Sequence, residues 1–157
     1  DGTPASVRFE LRHAFDRATF DAPLQHGAVC AGIAALLDTL RSVVPMVVVT
    51  NKPTALARAV LHAAGLFDAL AGVYGADQAH QRKPGPALLL NAARELGIAP
   101  ARLLMVGDGA ADLGAAQAAG CPAAWVSWGY GEPVLMREST IWRITTPEEL
   151  FERLCVA

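Results

Sequence analysis

Four short stretches of this chain carry side chains suited to a charged ligand. Asp108 follows Gly107 at the end of the apolar run 103–107 (LLMVG), and Asp112 comes four residues later. At the start of a helix, that spacing puts both carboxylates on one side of the first turn. Two carboxylates so placed repel each other unless a cation or a lysine intervenes. Oxygen donors with no His or Cys nearby suit Mg²⁺. Thr50 and Asn51 close another apolar run, 45–50 (PMVVVT), with a hydroxyl and an amide able to hydrogen-bond an anion. Lys83 stands in Gln81-Arg82-Lys83-Pro84-Gly85-Pro86, just ahead of a helix start. The neighbouring prolines restrict the main chain there, so its ammonium should be held within about 4 Å of Asp108 or Asp112. Asp1-Gly2-Thr3 adds a carboxylate beside a flexible glycine. A divalent cation, a lysine and a Thr–Asn pair together describe a site for a phosphoryl group.

Singly, each piece has an ordinary explanation. Thr50-Asn51 reads equally well as a turn, a lone lysine as a solvated charge, and an Asp at a helix start as a partner of the helix dipole. The combination at strand ends is what matters, because ligands of open α/β sheets bind beyond the carboxyl ends of the strands.

The elements that must hold these residues follow from alternation along the chain. Apolar strands are expected at 45–50, 72–75, 103–107 and 123–127, the first of them buried on both faces. Between them lie helical patterns at 55–64, 86–96 and 112–119, closed by Gly65, Gly97 and Gly120. Thr54 reads as the N-cap of the first of these. Thr146-Pro147-Glu148-Glu149 matches a capping box with Pro at the first helical position, opening a last helix to about residue 154. Two more helices are expected near the N-terminus: 6–20, with Val7, Leu11, Ala14 and Phe15 inward, and 31–40. Strands alternating with helices argue an α/β domain with a mainly parallel sheet.

Composition narrows the classes. The 157 residues are 53% hydrophobic and 18% charged, enough for one ordinary domain with a sizeable core. The net charge of −2, with no basic block, excludes an electrostatic nucleic-acid or lipid surface. The longest apolar runs, such as 43–49, are far too short to span a bilayer, and no secretory signal is visible. Cys30, Cys121 and Cys155 are odd in number and far apart, which suits reduced thiols in a cytoplasm. Cys121 reads as a small core residue, the three tryptophans as packing residues, and the four histidines lack ligand spacing.

The ordered set Asp-Gly-Thr, VVVTNKP, RKPGP and VGDGAAD followed by LGAAQAAG resembles the haloacid dehalogenase-like hydrolases, most of all the phosphoglycolate phosphatase-like branch. Trp128-Gly129-Tyr130-Gly131-Glu132-Pro133 is similar to that branch as well. The resemblance covers nearly everything from Pro23 onward. It implies a Rossmann-like three-layer core over residues 1–3 and 22–157, with 4–21 the remnant of a truncated helical cap. It also implies a Mg²⁺-dependent phosphatase of a small phosphorylated metabolite, working through an aspartyl-phosphate. A phosphoglucomutase-like phosphotransferase, or a catalytically silent domain that binds a phosphate-bearing ligand, would share the same motifs. By position, Asp1 would be the general acid/base and lend its carbonyl to Mg²⁺, and Thr50, with Asn51 beside it, would bind phosphoryl oxygens. Lys83 would neutralise phosphate and nucleophile; Asp108 would ligate Mg²⁺ directly, and Asp112 would support the metal or pair with Lys83. The nucleophile itself would stand two residues before Asp1. In the sheet the resemblance implies, the strand leading into Asp1 lies between those ending at Thr50 and Asp108, so upstream residues carrying it are expected, as are cap residues missing between Thr3 and residues 4–6.

Overall fold

The structure, a computed structural model, describes residues 4–23, 25, 27–131 and 141–156. Strand and helix alternate as the apolar runs require: α1 (Ala5–Asp21), α2 (Ile33–Leu40), β1 (Val47–Thr50), α3 (Thr54–Ala63), β2 (Gly72–Gly75), α4 (Ala87–Glu95), β3 (Met105–Gly107), α5 (Ala110–Ala119), β4 (Ala123–Val126), β5 (Ile141–Ile144) and α6 (Pro147–Val156). Every strand pair is parallel. β1 pairs with β2, Val47 opposite Gly72, while β3, β4 and β5 form a second ladder with Met105 opposite Ala123 and Ala123 opposite Ile141.

Helices cover both faces, giving three layers. On one side, Leu89, Ala92 and Ala93 of α4 and Leu113, Ala115 and Ala116 of α5 pack with Met105 and Ala123, and Val47 and Val49 join them. On the other, Leu36 and Leu40 of α2 meet Ala124, Val126, Ile144 and Leu150. The small residues of α5 let it lie close to the sheet; Ala115 and Ala116 are fully buried. Among the described residues, no helix is long and apolar enough to cross a membrane.

The ladders fix which main-chain groups face where. Ala71 N–H donates to Met46 O and Ala76 N–H to Thr50 O, so residues 46, 48 and 50 address β2. In a parallel ladder alternate residues turn to opposite sides, which leaves the main chain of Val47 and Val49 on the other edge of β1. By the same rule, Met105 N–H on Pro122 O leaves Val106 on the β3 edge away from β4.

Three expectations are corrected here, and one strand is added. The face of α1 expected to point inward is exposed: Val7 by 41%, Leu11 by 62% and Phe15 by 58%, with Ala14 also exposed. That helix packs against α3, which leaves its apolar stripe uncovered among the described residues. β1 is only half-buried, since it pairs along one edge in the described structure. The β5 strand was not expected, because Arg143 interrupts its short apolar run. Finally, Thr54 is the first residue of α3 rather than its cap; Pro53 holds the cap position without a side-chain bond. Asp77, from the loop after β2, performs the capping instead, accepting Thr54 N–H at 2.8 Å and the Thr54 hydroxyl at 2.7 Å. At α6 the box forms nearly as expected, with Thr146 Oγ1 accepting Glu149 N–H at 3.2 Å. Its Glu149 reaches one residue further back, accepting Thr145 N–H at 2.8 Å.

Candidate active site

Thr50 ends β1, and its hydroxyl oxygen accepts Lys52 N–H at 3.2 Å. With the acceptor side engaged, the hydroxyl hydrogen is left to donate to a ligand oxygen. The turn that follows must lie flat over β2. A side chain on Gly75 would collide with the main chain of Lys52 and Thr54 there, and Gly75 N–H donates to Thr54 Oγ1 at 3.0 Å. Glycine at the end of β2 therefore shapes the turn that carries Thr50.

Asn51 puts its side chain to a different use from the phosphate contact expected of it. Its Oδ1 accepts Lys83 N–H at 2.7 Å and its Nδ2 donates to Lys83 O at 3.1 Å. Both arms of the amide are spent on one residue's main chain, so Asn51 fixes Lys83. The carbonyl of Asn51 in turn accepts Arg12 Nη2 of α1 at 3.1 Å, and Arg12 is held by Asp16 at 3.2 Å.

Lys83 spans the two ladders. Its Nζ donates to Val49 O at 2.7 Å, on the edge of β1 away from β2, and to Asp112 Oδ1 at 2.6 Å. The expected salt-bridge reach is thus met at Asp112. The pair is well shielded, with side-chain exposures of 10% and 13%. Burial on this scale costs solvation, which the short charge-assisted hydrogen bonds offset.

Asp112 occupies the first turn of α5, and its Oδ2 accepts Gly109 N–H at 3.2 Å, satisfying one of the helix's unpaired donors. It can approach the strand end only because Gly107 has no side chain; a Cβ there would strike Asp112 Cβ and Cγ. Asp108, between β3 and α5, is held differently. Its Oδ2 accepts Tyr130 N–H at 2.7 Å and Gly131 N–H at 2.8 Å, while its carbonyl accepts the Trp125 indole N–H at 2.9 Å. Its Oδ1 has no hydrogen-bond or ion-pair partner among the described residues. An ionised carboxylate with one oxygen anchored and the other open is a fitting donor for a hard cation such as Mg²⁺.

The structure thus gathers Thr50, Asn51, Lys83, Asp108 and Asp112 at the carboxyl ends of β1 and β3. Asp1 lies outside the described residues, as do Leu24 and His26 of the segment after Pro23, and Glu132 and Pro133. No group of three His, Cys, Asp or Glu side chains forms a metal cluster among the described residues. Three contributors escaped the sequence reading: Asp77, Trp125, and the main-chain N–H groups of Tyr130 and Gly131. For the last, the Gly-x-Gly spacing at 129–131 was the available signal, since paired glycines often mark a close main-chain approach.

Comparison with known proteins points the same way. The chain is 40% identical over 128 residues to a phosphoglycolate phosphatase of Neisseria gonorrhoeae, covering 79% of this chain and 53% of that protein. It is 36% identical over 132 residues to the phosphoglycolate phosphatase of Escherichia coli K12, covering 83% and 52%. The chain spans about half the length of these curated relatives. The crystal structure of a predicted phosphoglycolate phosphatase from Haemophilus somnus superposes with a TM-score of 0.83 at 22% identity, over 97% of this chain and 68% of that one, which shows the shared fold. A family model for haloacid dehalogenase-like hydrolase matches residues 5–120. The chain belongs to the haloacid dehalogenase-like hydrolases.

Proposed function

We propose that this chain is the core of a Mg²⁺-dependent phosphatase acting on a small phosphorylated metabolite, with phosphoglycolate the first substrate to test. The observation that carries the reading is Lys83, whose ammonium joins the end of β1 to Asp112 on α5. That bridge joins the strand that ends in Thr50 to the first turn of α5, next in sequence to Asp108, and so supports a reading in which a hydroxyl donor, an ammonium and a carboxylate act on one phosphoryl group. The names of the relatives, both phosphoglycolate phosphatases, support the choice of substrate.

In this reading Thr50 donates its hydroxyl hydrogen to a phosphoryl oxygen, and Lys83 offsets the charge of phosphate and nucleophile. Asn51 holds Lys83 in place. Asp108, with the carbonyl of Asp1, would hold Mg²⁺, which when bound supplies further charge compensation at the phosphoryl oxygens. The nucleophile would be the carboxylate two residues before Asp1, on a strand lying along the edges of β1 and β3 that pair with no strand among the described residues. Its oxygen attacks phosphorus as the ester oxygen departs, taking a proton from the Asp1 carboxyl. Water, giving a proton back to Asp1, then attacks the aspartyl-phosphate and releases inorganic phosphate.

The test is phosphate release from a panel of phosphate esters by the intact gene product carrying Thr50→Val or Lys83→Met. Each variant is expected to lose at least about 100-fold in kcat, in line with the loss of one oxyanion-type donor. Full activity in both would overturn the assignment.

A further inference from the structure

Asp108 is gripped by main-chain N–H groups of the loop after β4. We infer that Gly129 and Gly131 are positioning residues for Asp108: their bare main chain lets the loop after β4 lay two N–H groups on Oδ2, which leaves Oδ1 for a divalent cation. This inference rests on the cation reading proposed above and adds to it residues outside its catalytic and ligand set.

Space, not backbone conformation, demands glycine at these two positions. The glycines with a left-handed backbone among the described residues are Gly32, Gly65, Gly97 and Gly120; neither Gly129 nor Gly131 is among them. A Cβ on Gly129, however, would strike the side chain of Asp108 at Cβ, Cγ and Oδ2. A Cβ on Gly131 would strike the Asp108 carbonyl and come within 2.9 Å of Gly109 Cα. The intervening Tyr130 side chain is fully exposed, so the loop is not held by burial of its aromatic ring. What the loop does hold is the carboxylate: Tyr130 N–H at 2.7 Å and Gly131 N–H at 2.8 Å converge on the same oxygen. Trp125 fixes the main chain of Asp108 from the other side, its indole N–H at 2.9 Å from the carbonyl. Carboxylate ligands are commonly oriented by outer hydrogen bonds of this kind, and removing one typically weakens metal binding by about 10–100-fold.

Mn²⁺, followed by electron paramagnetic resonance, serves as the probe, with amide NMR spectra of the same intact gene product. Gly131→Ala is expected to weaken Mn²⁺ binding by roughly 10-fold or more. Asp108→Ala is expected to abolish it and to move the Tyr130 and Gly131 amide proton signals upfield, as a charged acceptor is lost. Gly120→Ala, which strains a helix end away from the site, is expected to lower Tm while leaving Mn²⁺ affinity unchanged, separating positioning from general destabilisation. Binding by Gly131→Ala within twofold of the unsubstituted chain would overturn the positioning role while leaving the cation reading standing. So would amide signals that ignore Asp108→Ala. Failure of the unsubstituted chain to bind Mn²⁺ would overturn the cation reading, and this inference with it.

Discussion

Lys83 shows how much one side chain can settle. Its ammonium is nearly buried and has two acceptors, one a strand carbonyl and one the Asp112 carboxylate. Removing one partner of such a pair leaves a shielded charge alone, a loss of about 3–5 kcal/mol. Lys83→Ala is therefore expected to be strongly destabilising in urea unfolding. Asp112→Asn added to it should recover part of that loss, because the stranded charge is gone; strictly additive losses would contradict the pairing. That Lys83 would meet a carboxylate was legible from its place before Pro84 and from the Asp108–Asp112 spacing. That Asn51 would spend its amide on Lys83 was not, since the contact spans 32 residues of sequence and no local pattern encodes it. Cys121 behaves as its surroundings dictate. Burial pushes its thiol up from the ordinary range, so little thiolate forms at neutral pH. Iodoacetamide is expected to label exposed Cys30 and Cys155 well before Cys121. Equal rates at all three would show that Cys121 is not sheltered.

At the scale of elements, the instructive case is the start of α3, the helix that follows the Thr50 turn. The sequence places a good capping residue at Thr54, yet the cap comes from Asp77 across the sheet. Periodicity and turn residues locate a helix within a residue or two, but a cap supplied from another loop depends on tertiary contact and leaves no local trace. Asp77→Ala is expected to cost about 1–2 kcal/mol, as loss of a side-chain cap does. Because the turn carries Thr50, KM for the phosphate ester should rise as well. No change in Tm would place the stability of α3 elsewhere. The opening of α6 contrasts with this, being local and therefore readable. There, hydrogen bonds from the Thr145 N–H and hydroxyl, aided by Arg153, hold the Glu149 carboxyl below its ordinary value of 4.5. A carboxyl lowered by folding stabilises the fold while charged, so its contribution is present above about 4.5 and fades as pH falls below it. The Tm gap between the unsubstituted chain and Glu149→Gln is expected to shrink between pH 7 and pH 3. A gap that holds constant to pH 3 would remove Glu149 from the acid response.

The whole molecule is arranged around a line between two parallel ladders. β1 and β3 each turn main-chain groups of Val47, Val49 and Val106 toward an edge that pairs with no strand among the described residues. The α/β class, the parallel pairing and the position of Thr50 and Asp108 at strand ends were readable from alternating apolar runs, because each run is short, continuous and bounded by glycine or proline. The outward face of α1 was not readable, since helical periodicity marks an apolar stripe without saying what covers it. Phosphate release from phosphoglycolate and a panel of other esters is followed for the intact gene product and its Asp108→Asn variant, with Mg²⁺ and with excess chelator. The expected result is turnover of at least one small ester with Mg²⁺, lost in chelator and lost in Asp108→Asn although the variant remains folded. Undiminished turnover in chelator or in the variant would rule out a Mg²⁺-dependent phosphatase built on Asp108.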